Sequence, residues 1–117
     1  MLPNRMQLSK QTEEHLKRLK AYTGVTPNIA ARLAFFRSVE SGYRAPIGEL
    51  NIKLDGNLVL DKQTWLGETM QITEITLNML YPELDSKKKI LVWAYHVQDG
   101  IASIRNLKSI YQLCNSL

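Results

Sequence analysis

The sequence predicts a mainly α, small single-domain protein with a short N-terminal strand. Apolar residues recur at helical spacing of three and four over most of the chain. Helix starts are signed by Ser9, by Thr26-Pro27 and by Asp85-Ser86, and helix stops by Gly24, Gly42 and Pro82. The 117 residues carry no repeat, no low-complexity tract and no Ser/Gly/Pro-rich linker, so residues 1–117 form one domain. A chain of this length buries roughly two-thirds of its unfolded surface and folds without disulfides or metal.

Arg5-Met6-Gln7-Leu8-Ser9 alternates, with Met6 and Leu8 on one side, as a half-buried strand does. A helix follows from Lys10 to Tyr22, capped by Ser9, with Glu13 and Glu14 near its positive end. Thr12, Leu16, Leu19 and Tyr22 or Thr23 make its inner face, and Gly24 fits the left-handed residue that closes it. The second helix has Thr26 as cap and Pro27 at its first position, where the missing N–H costs nothing. Its stripe is Ile29, Leu33, Phe36 and Glu40, widened by Ala30, Ala34 and Phe35, which implies burial on more than one side. Residues 50–60 alternate on both sides of Asp55-Gly56-Asn57 and fit a central β-hairpin or an irregular connection equally well. A third helix is expected over Lys62–Tyr81, with an inner stripe of Leu66, Met70, Thr73, Leu77 and Leu80. Ile72, Ile75 and Met79 form a second apolar face, which requires packing within the domain or across a subunit interface. A fourth helix runs from Asp85 or Ser86 to Gln98 and breaks at Asp99-Gly100. A final one runs from Ile101 to Cys114 and buries Cys114.

Composition narrows the function. Hydrophobic residues make up 44% and charged residues 22%, which excludes a disordered chain. No apolar run approaches the roughly 20 residues of a membrane span, and the first five residues lack a signal-peptide core, so a cytoplasmic address is expected. A single cysteine excludes an intrachain disulfide. The net charge of +4 is unevenly spread. Residues 1–44 carry eight Lys/Arg against three Asp/Glu, residues 45–86 two against seven, and residues 87–117 five against one. Basic ends around an acidic middle suit a polyanion partner, or subunits that attract through opposite patches.

Catalytic chemistry has little to start from. His15 and His96 lie on different helices without a metal-ligand partner at the fourth residue, and read as a surface and a packed histidine. Gly42, Gly48 and Gly56 do not make a phosphate loop or a dinucleotide fingerprint. Asp55, Asp61, Glu68 and Glu74 have no spacing that converges on a metal, so no metal and no cofactor is expected. Trp65, Trp93, Phe35 and Phe36 fall on apolar stripes and read as core rather than a base-stacking platform.

Three basic groups remain. Arg5 and Gln7 on the strand join Lys10, Lys17, Arg18 and Lys20 on the first helix, where they can reach phosphates or a groove edge. Glu13 precedes Lys17, and Glu14 precedes Arg18, by the four residues of an ordinary surface pair. Lys87-Lys88-Lys89 crowds the first turn of a helix, where the macrodipole disfavours cations and free N–H groups favour a phosphate. Arg105 and Lys108 lie on an outward face of the final helix.

The order strand, helix, Gly24-Val25-Thr26, helix across residues 5–41 resembles a ribbon-helix-helix module. That resemblance implies Arg5 and Gln7 reading bases, and Thr26 and Asn28 touching phosphate. Over essentially its whole length the chain resembles the DndE family of DNA phosphorothioation. The carrying stretches are Arg5-Met6-Gln7-Leu8-Ser9, Thr23-Gly24-Val25-Thr26-Pro27-Asn28-Ile29-Ala30-Ala31-Arg32 and Gly48-Glu49-Leu50-Asn51. This resemblance implies a non-catalytic, DNA-binding accessory subunit, with the sulfur and ATP chemistry left to other proteins of the system. It also implies self-association, with a tetramer favoured, and binding of duplex or nicked DNA. A sequence-specific ribbon-helix-helix regulator and a pure assembly scaffold are the alternatives.

Overall fold

The computed structural model describes residues 2–104 and 114–115. The elements are β1 (Arg5–Met6), α1 (Lys10–Thr23), α2 (Pro27–Glu40), β2 (Leu60–Asp61), α3 (Lys62–Leu66), a 3-10 turn (Gly67–Thr69), α4 (Met70–Leu80) and α5 (Ser86–Ile104). The expected mainly helical class is therefore observed.

Most caps behave as their sequence requires; Thr26 stands at the N-cap of α2, but its side chain makes no capping bond and turns to Asn28. Ser9 Oγ accepts the Thr12 N–H, and Gly24 closes α1 at φ 78° with its own N–H on the Lys20 carbonyl. Asp85 caps α5 by accepting the Lys88 N–H at 2.9 Å. On α1, Thr12, Leu16 and Leu19 are buried as expected, whereas Tyr22 is exposed. Thr23 takes the inner position and donates its hydroxyl to the Leu19 carbonyl at 2.7 Å.

The β pairing differs from the expected hairpin. β1 is two residues long and pairs antiparallel with β2, with Arg5 opposite Asp61 and Met6 opposite Leu60. Residues 50–59 form no strand. Leu50, Ile52, Leu54 and Leu58 are half-buried against the core, so the alternation records burial of a loop wrapped over the helices. Loop backbone finds long-range partners instead of a ladder: Gly56 N–H donates to the Leu8 carbonyl, and Leu58 N–H donates to Glu13 Oε2.

α2 and α5 form the centre of the molecule. The deeply buried face of α2 is Ala30, Ala31, Ala34, Phe35 and Ser38. The expected stripe lies further out: Leu33 and Phe36 are half-buried, and Ile29 and Glu40 are exposed. Small residues face inward because α5 crosses closely, so closely that a Cβ on Gly100 would overlap the backbone of Ala34. Gly100 is thus a packing residue inside a continuous α5, not the helix break expected at Asp99-Gly100.

The helix expected over 62–81 is interrupted at Gly67, which has φ 51° and ψ −131°. Arg32 makes the interruption. Its Nε donates to the Trp65 carbonyl at 2.8 Å and its Nη2 to the Thr64 carbonyl at 3.0 Å, capping α3 and occupying the space a Cβ at Gly67 would need. α4 then turns Thr73 and Leu77 into the core, with Met70 and Leu80 half-buried beside them.

His96 is fully buried between α2 and the segment after it. Its Nδ1 lies 2.9 Å from Ser38 Oγ and its Nε2 lies 2.6 Å from the Tyr81 hydroxyl, which also accepts the Ala45 N–H at 2.9 Å. The rings of Phe35, Tyr43 and Tyr81 surround it. The packed histidine read from the sequence is what the fold contains. Of the expected final helix, residues 101–104 belong to α5 and residues 105–113 lie outside the described residues, as do Arg105 and Lys108. Cys114 is exposed, not buried.

Candidate nucleic-acid interface

α1 carries its cations on the side its apolar residues leave free. Leu16 and Leu19 turn inward, and Lys10, Lys17, Arg18 and Lys20 are exposed. From Lys10 to Lys20 this basic face runs about 15 Å along the helix, at 1.5 Å per residue. Lys17 is partly held, its Nζ 2.9 Å from Glu13 Oε1.

Glu13 is not the exposed pairing partner its spacing suggests. Its carboxylate is buried, with one oxygen on Lys17 and the other on the Leu58 N–H. Burial pushes its carboxyl pKa up, but the Leu58 N–H and Lys17 outweigh that, so the net position is below the ordinary value. The stability Glu13 contributes is therefore present above its unfolded pKa and is lost as pH falls through the lower folded value.

The remaining expected residues are placed as follows. Arg5 is exposed on β1, across from Asp61, whose carboxylate accepts the Thr64 N–H as the cap of α3. Gln7 is half-buried, and its amide donates to the Gly56 carbonyl at 2.8 Å, which ties the strand to the loop. Gln7→Ala is expected to lower stability by about 1 kcal/mol in urea unfolding, the usual net worth of one such bond. Its DNA affinity should stay at the wild-type level; a loss of affinity in the folded variant would mean that Gln7 touches DNA. Thr26 donates to Asn28 Oδ1 at 2.6 Å, and Asn28 Nδ2 donates to the Thr64 carbonyl at 3.1 Å. These two side chains join α2 to α3.

Lys87 and Lys88 are exposed in the first turn of α5. Lys89 is half-buried, with its Nζ on Asn78 Oδ1 of α4. Asp85 already accepts the Lys88 N–H, so an incoming phosphate would meet ammonium groups more than free backbone donors.

Mutual placement separates two of these groups. Ser38 sits on His96 and Ala34 on Gly100, so α2 and α5 run antiparallel. Thr26 and Lys88 then lie at opposite ends of that pair, about 30 Å apart. No single phosphate can be shared between them.

One cation escaped the sequence reading. Lys53 is exposed in a shallow groove of about 450 Å³ with Lys10, Glu14 and Asp55, where Asp55 also accepts the Lys10 N–H at 2.8 Å. Long-range anchoring of the loop by Glu13, Gln7, Tyr95 and the Asp55–Lys10 bond brings it there, and no local signal marks it. Among the described residues no three His, Cys, Asp or Glu side chains gather in a metal-binding group. Within the same residues no helix is long and apolar enough to cross a membrane.

Residues 5–112 match the family described as DNA sulphur modification protein DndE. The chain belongs to the DndE family. Among solved structures it is similar to DndE from Escherichia coli B7A, described as involved in DNA phosphorothioation modification. The identity is 67%, covering 88% of this chain and 99% of that one, with a TM-score of 0.84. It is also similar to a crystallised glycine-to-lysine DndE variant involved in DNA phosphorothioation, at 64% identity over 89% of this chain and 99% of that one, again with a TM-score of 0.84. A comparison with curated protein sequences gives no match. The DndE match spans every described element from β1 to α5, so the family assignment applies to the whole fold.

Proposed function

We propose that this chain is a non-catalytic accessory subunit of the DNA phosphorothioation machinery that binds duplex or nicked DNA through backbone phosphates. In this reading it acts in the cytoplasm as an oligomer, alongside the other proteins of that system, which supply the sulfur chemistry. Membership of the DndE family supports the process, and its relatives are described as involved in the same modification.

The observation that carries the DNA contact is the lysine run at the start of α5. Lys87 and Lys88 are exposed where the helix dipole disfavours cations. Positive charge in that position is unfavourable for the isolated helix and becomes favourable when phosphate is bound. The exposed face of α1 offers a second row of cations for the same backbone.

The experiment is a salt series of gel-shift titrations on intact, nicked and single-stranded DNA. Each phosphate contact contributes about 0.9 to the slope of log K against log salt on duplex DNA. Replacing Lys87, Lys88 and Lys89 together by alanine should make that slope shallower by about two to three. An unchanged slope removes the triplet from the interface.

The sequence-specific ribbon-helix-helix alternative has less to rest on. β1 is two residues long and pairs within its own chain, Met6 is buried, and the Gln7 amide is spent on Gly56. Equal affinity for one duplex and its scrambled version is the expected result; a preference of several kcal/mol would restore that alternative.

A further inference from the structure

We propose that Glu13 and a phosphate polyanion compete for Lys17, so that an anion seated on the basic face of α1 loosens the loop over residues 50–59. This competition rests on the phosphate reading above and adds to it a contact that opposes binding. Glu13 is 3% exposed, although the other inward residues of α1 are Thr12, Leu16 and Leu19. A glutamate is almost never buried unless it is paired. Here the carboxylate joins helix and loop. One oxygen lies 2.9 Å from Lys17 Nζ, and the other accepts the Leu58 N–H at 2.9 Å. Gly56 is pressed against the same group, since a Cβ there would overlap Glu13 Oε2 and the Leu8 carbonyl oxygen.

The two members of the ion pair sit in different media. The Glu13 side chain is 4% exposed and that of Lys17 is 53% exposed. Lys17 therefore reaches solvent on the face it shares with Lys10, Arg18 and Lys20. Its ammonium carries three donors on a flexible stem, so a row of phosphates along that face can draw it outward. Glu13 cannot follow, because Leu58 holds its second oxygen and Gly56 walls it in.

A buried carboxylate that loses its cation is destabilising, far more so than an exposed one. The penalty falls if the carboxylate reaches water, and residues 56–58 must lift for that to happen. Occupation of α1 thus lowers the free energy of opening the loop. By reciprocity, a closed loop weakens the hold of α1 on the anion. Glu13 is in this sense an autoinhibitory contact, acting on the anion through Lys17 and not by touching it.

The test is amide hydrogen exchange at Leu58 in the full chain, alone and saturated with a short DNA duplex or with inorganic polyphosphate. Leu58 should exchange about tenfold faster with the polyanion bound. Lys17→Met should show the fast rate without any polyanion and should not respond further. Glu13→Gln keeps an acceptor for Leu58 and releases Lys17, so its affinity for the polyanion should rise about fivefold. Glu13→Gln/Lys17→Met should then bind no more tightly than Lys17→Met. A gain that persists in that pair reports only the lost negative charge and overturns the proposal. If circular dichroism shows Glu13→Gln unfolded, Lys17→Met decides alone: a Leu58 amide that still responds to the polyanion overturns the competition. Polyphosphate that speeds Leu58 while DNA fails to bind sinks the DNA reading alone. DNA that binds and leaves Leu58 exchange unchanged sinks the competition alone.

Discussion

Gly100→Ala is expected to destabilise the protein by about 3 kcal/mol, lowering the melting temperature by roughly 10 °C or more. The sign is the informative part. At an unobstructed helix interior the same change stabilises by roughly 1 kcal/mol, because alanine loses less backbone entropy than glycine on folding. Here the added methyl meets the carbonyl carbon, carbonyl oxygen and Cα of Ala34. Backbone cannot rotate away as a side chain can, so α2 and α5 must separate, and the layer of Ala30, Ala31, Ala34 and Ala94 loses its contacts. For the same reason Ala34→Gly should not rescue the variant, since the obstruction is not the Ala34 side chain. Urea unfolding measures both changes. A neutral or stabilising Gly100→Ala would show that the two helices part without cost, and would remove close crossing as the reason for the small residues on α2.

That glycine also marks where the sequence stops being legible. Caps and starts depend on neighbours a few residues away, and Ser9, Gly24, Pro27 and Asp85 could be read directly because the groups they satisfy are local. A glycine that breaks a helix and one that lets another helix approach look identical in sequence, and only Ala34, 66 positions away, distinguishes them. Glu13 presents the same difficulty: its four-residue spacing to Lys17 was legible, but its bond to Leu58, 45 positions on, was not. The alternation over residues 50–60 correctly signals burial, yet the β partner of Leu60–Asp61 is the N-terminal strand. For the candidate interface, the cations could be named from charge, and exposure agrees for Arg5, Lys10, Lys17, Arg18, Lys20, Lys87 and Lys88. Which of them share a surface depends on the α2–α5 register, and that register is set by small residues with no charge signature.

Stability should fall by roughly 3 kcal/mol as pH drops from 6.5 to about 4, and His96 should account for the fall. Burial, with Arg44 adding to it, lowers the His96 pKa to about 4, against roughly 6.5 in an unfolded chain. The folded protein thus keeps the imidazole neutral where the unfolded chain takes up a proton. Its contribution is complete above pH 6.5 and is lost progressively through that window, at about 1.4 kcal/mol per pH unit once the unfolded histidine is charged. Hydrogen bonding gives the same direction. The assignment that satisfies every group has Tyr81 donate its hydroxyl proton to Nε2, accept the Ala45 N–H, and leave Nδ1–H for Ser38 Oγ. A proton on Nε2 would turn that acceptor into a donor facing a hydroxyl whose own proton then has no partner. Among the described residues the groups bonded to or stacked on the ring are Ser38, Phe35, Tyr43 and Tyr81, none of them a carboxylate, and Arg44 repels the new charge. Glu13 adds its own loss only at lower pH, below the ordinary carboxylate value. Urea midpoints measured from pH 7.5 down to 4.5 should therefore slope for the wild type and flatten in His96→Gln, which cannot be protonated. If His96→Gln keeps the wild-type slope across that range, the buried imidazole is not the group that titrates.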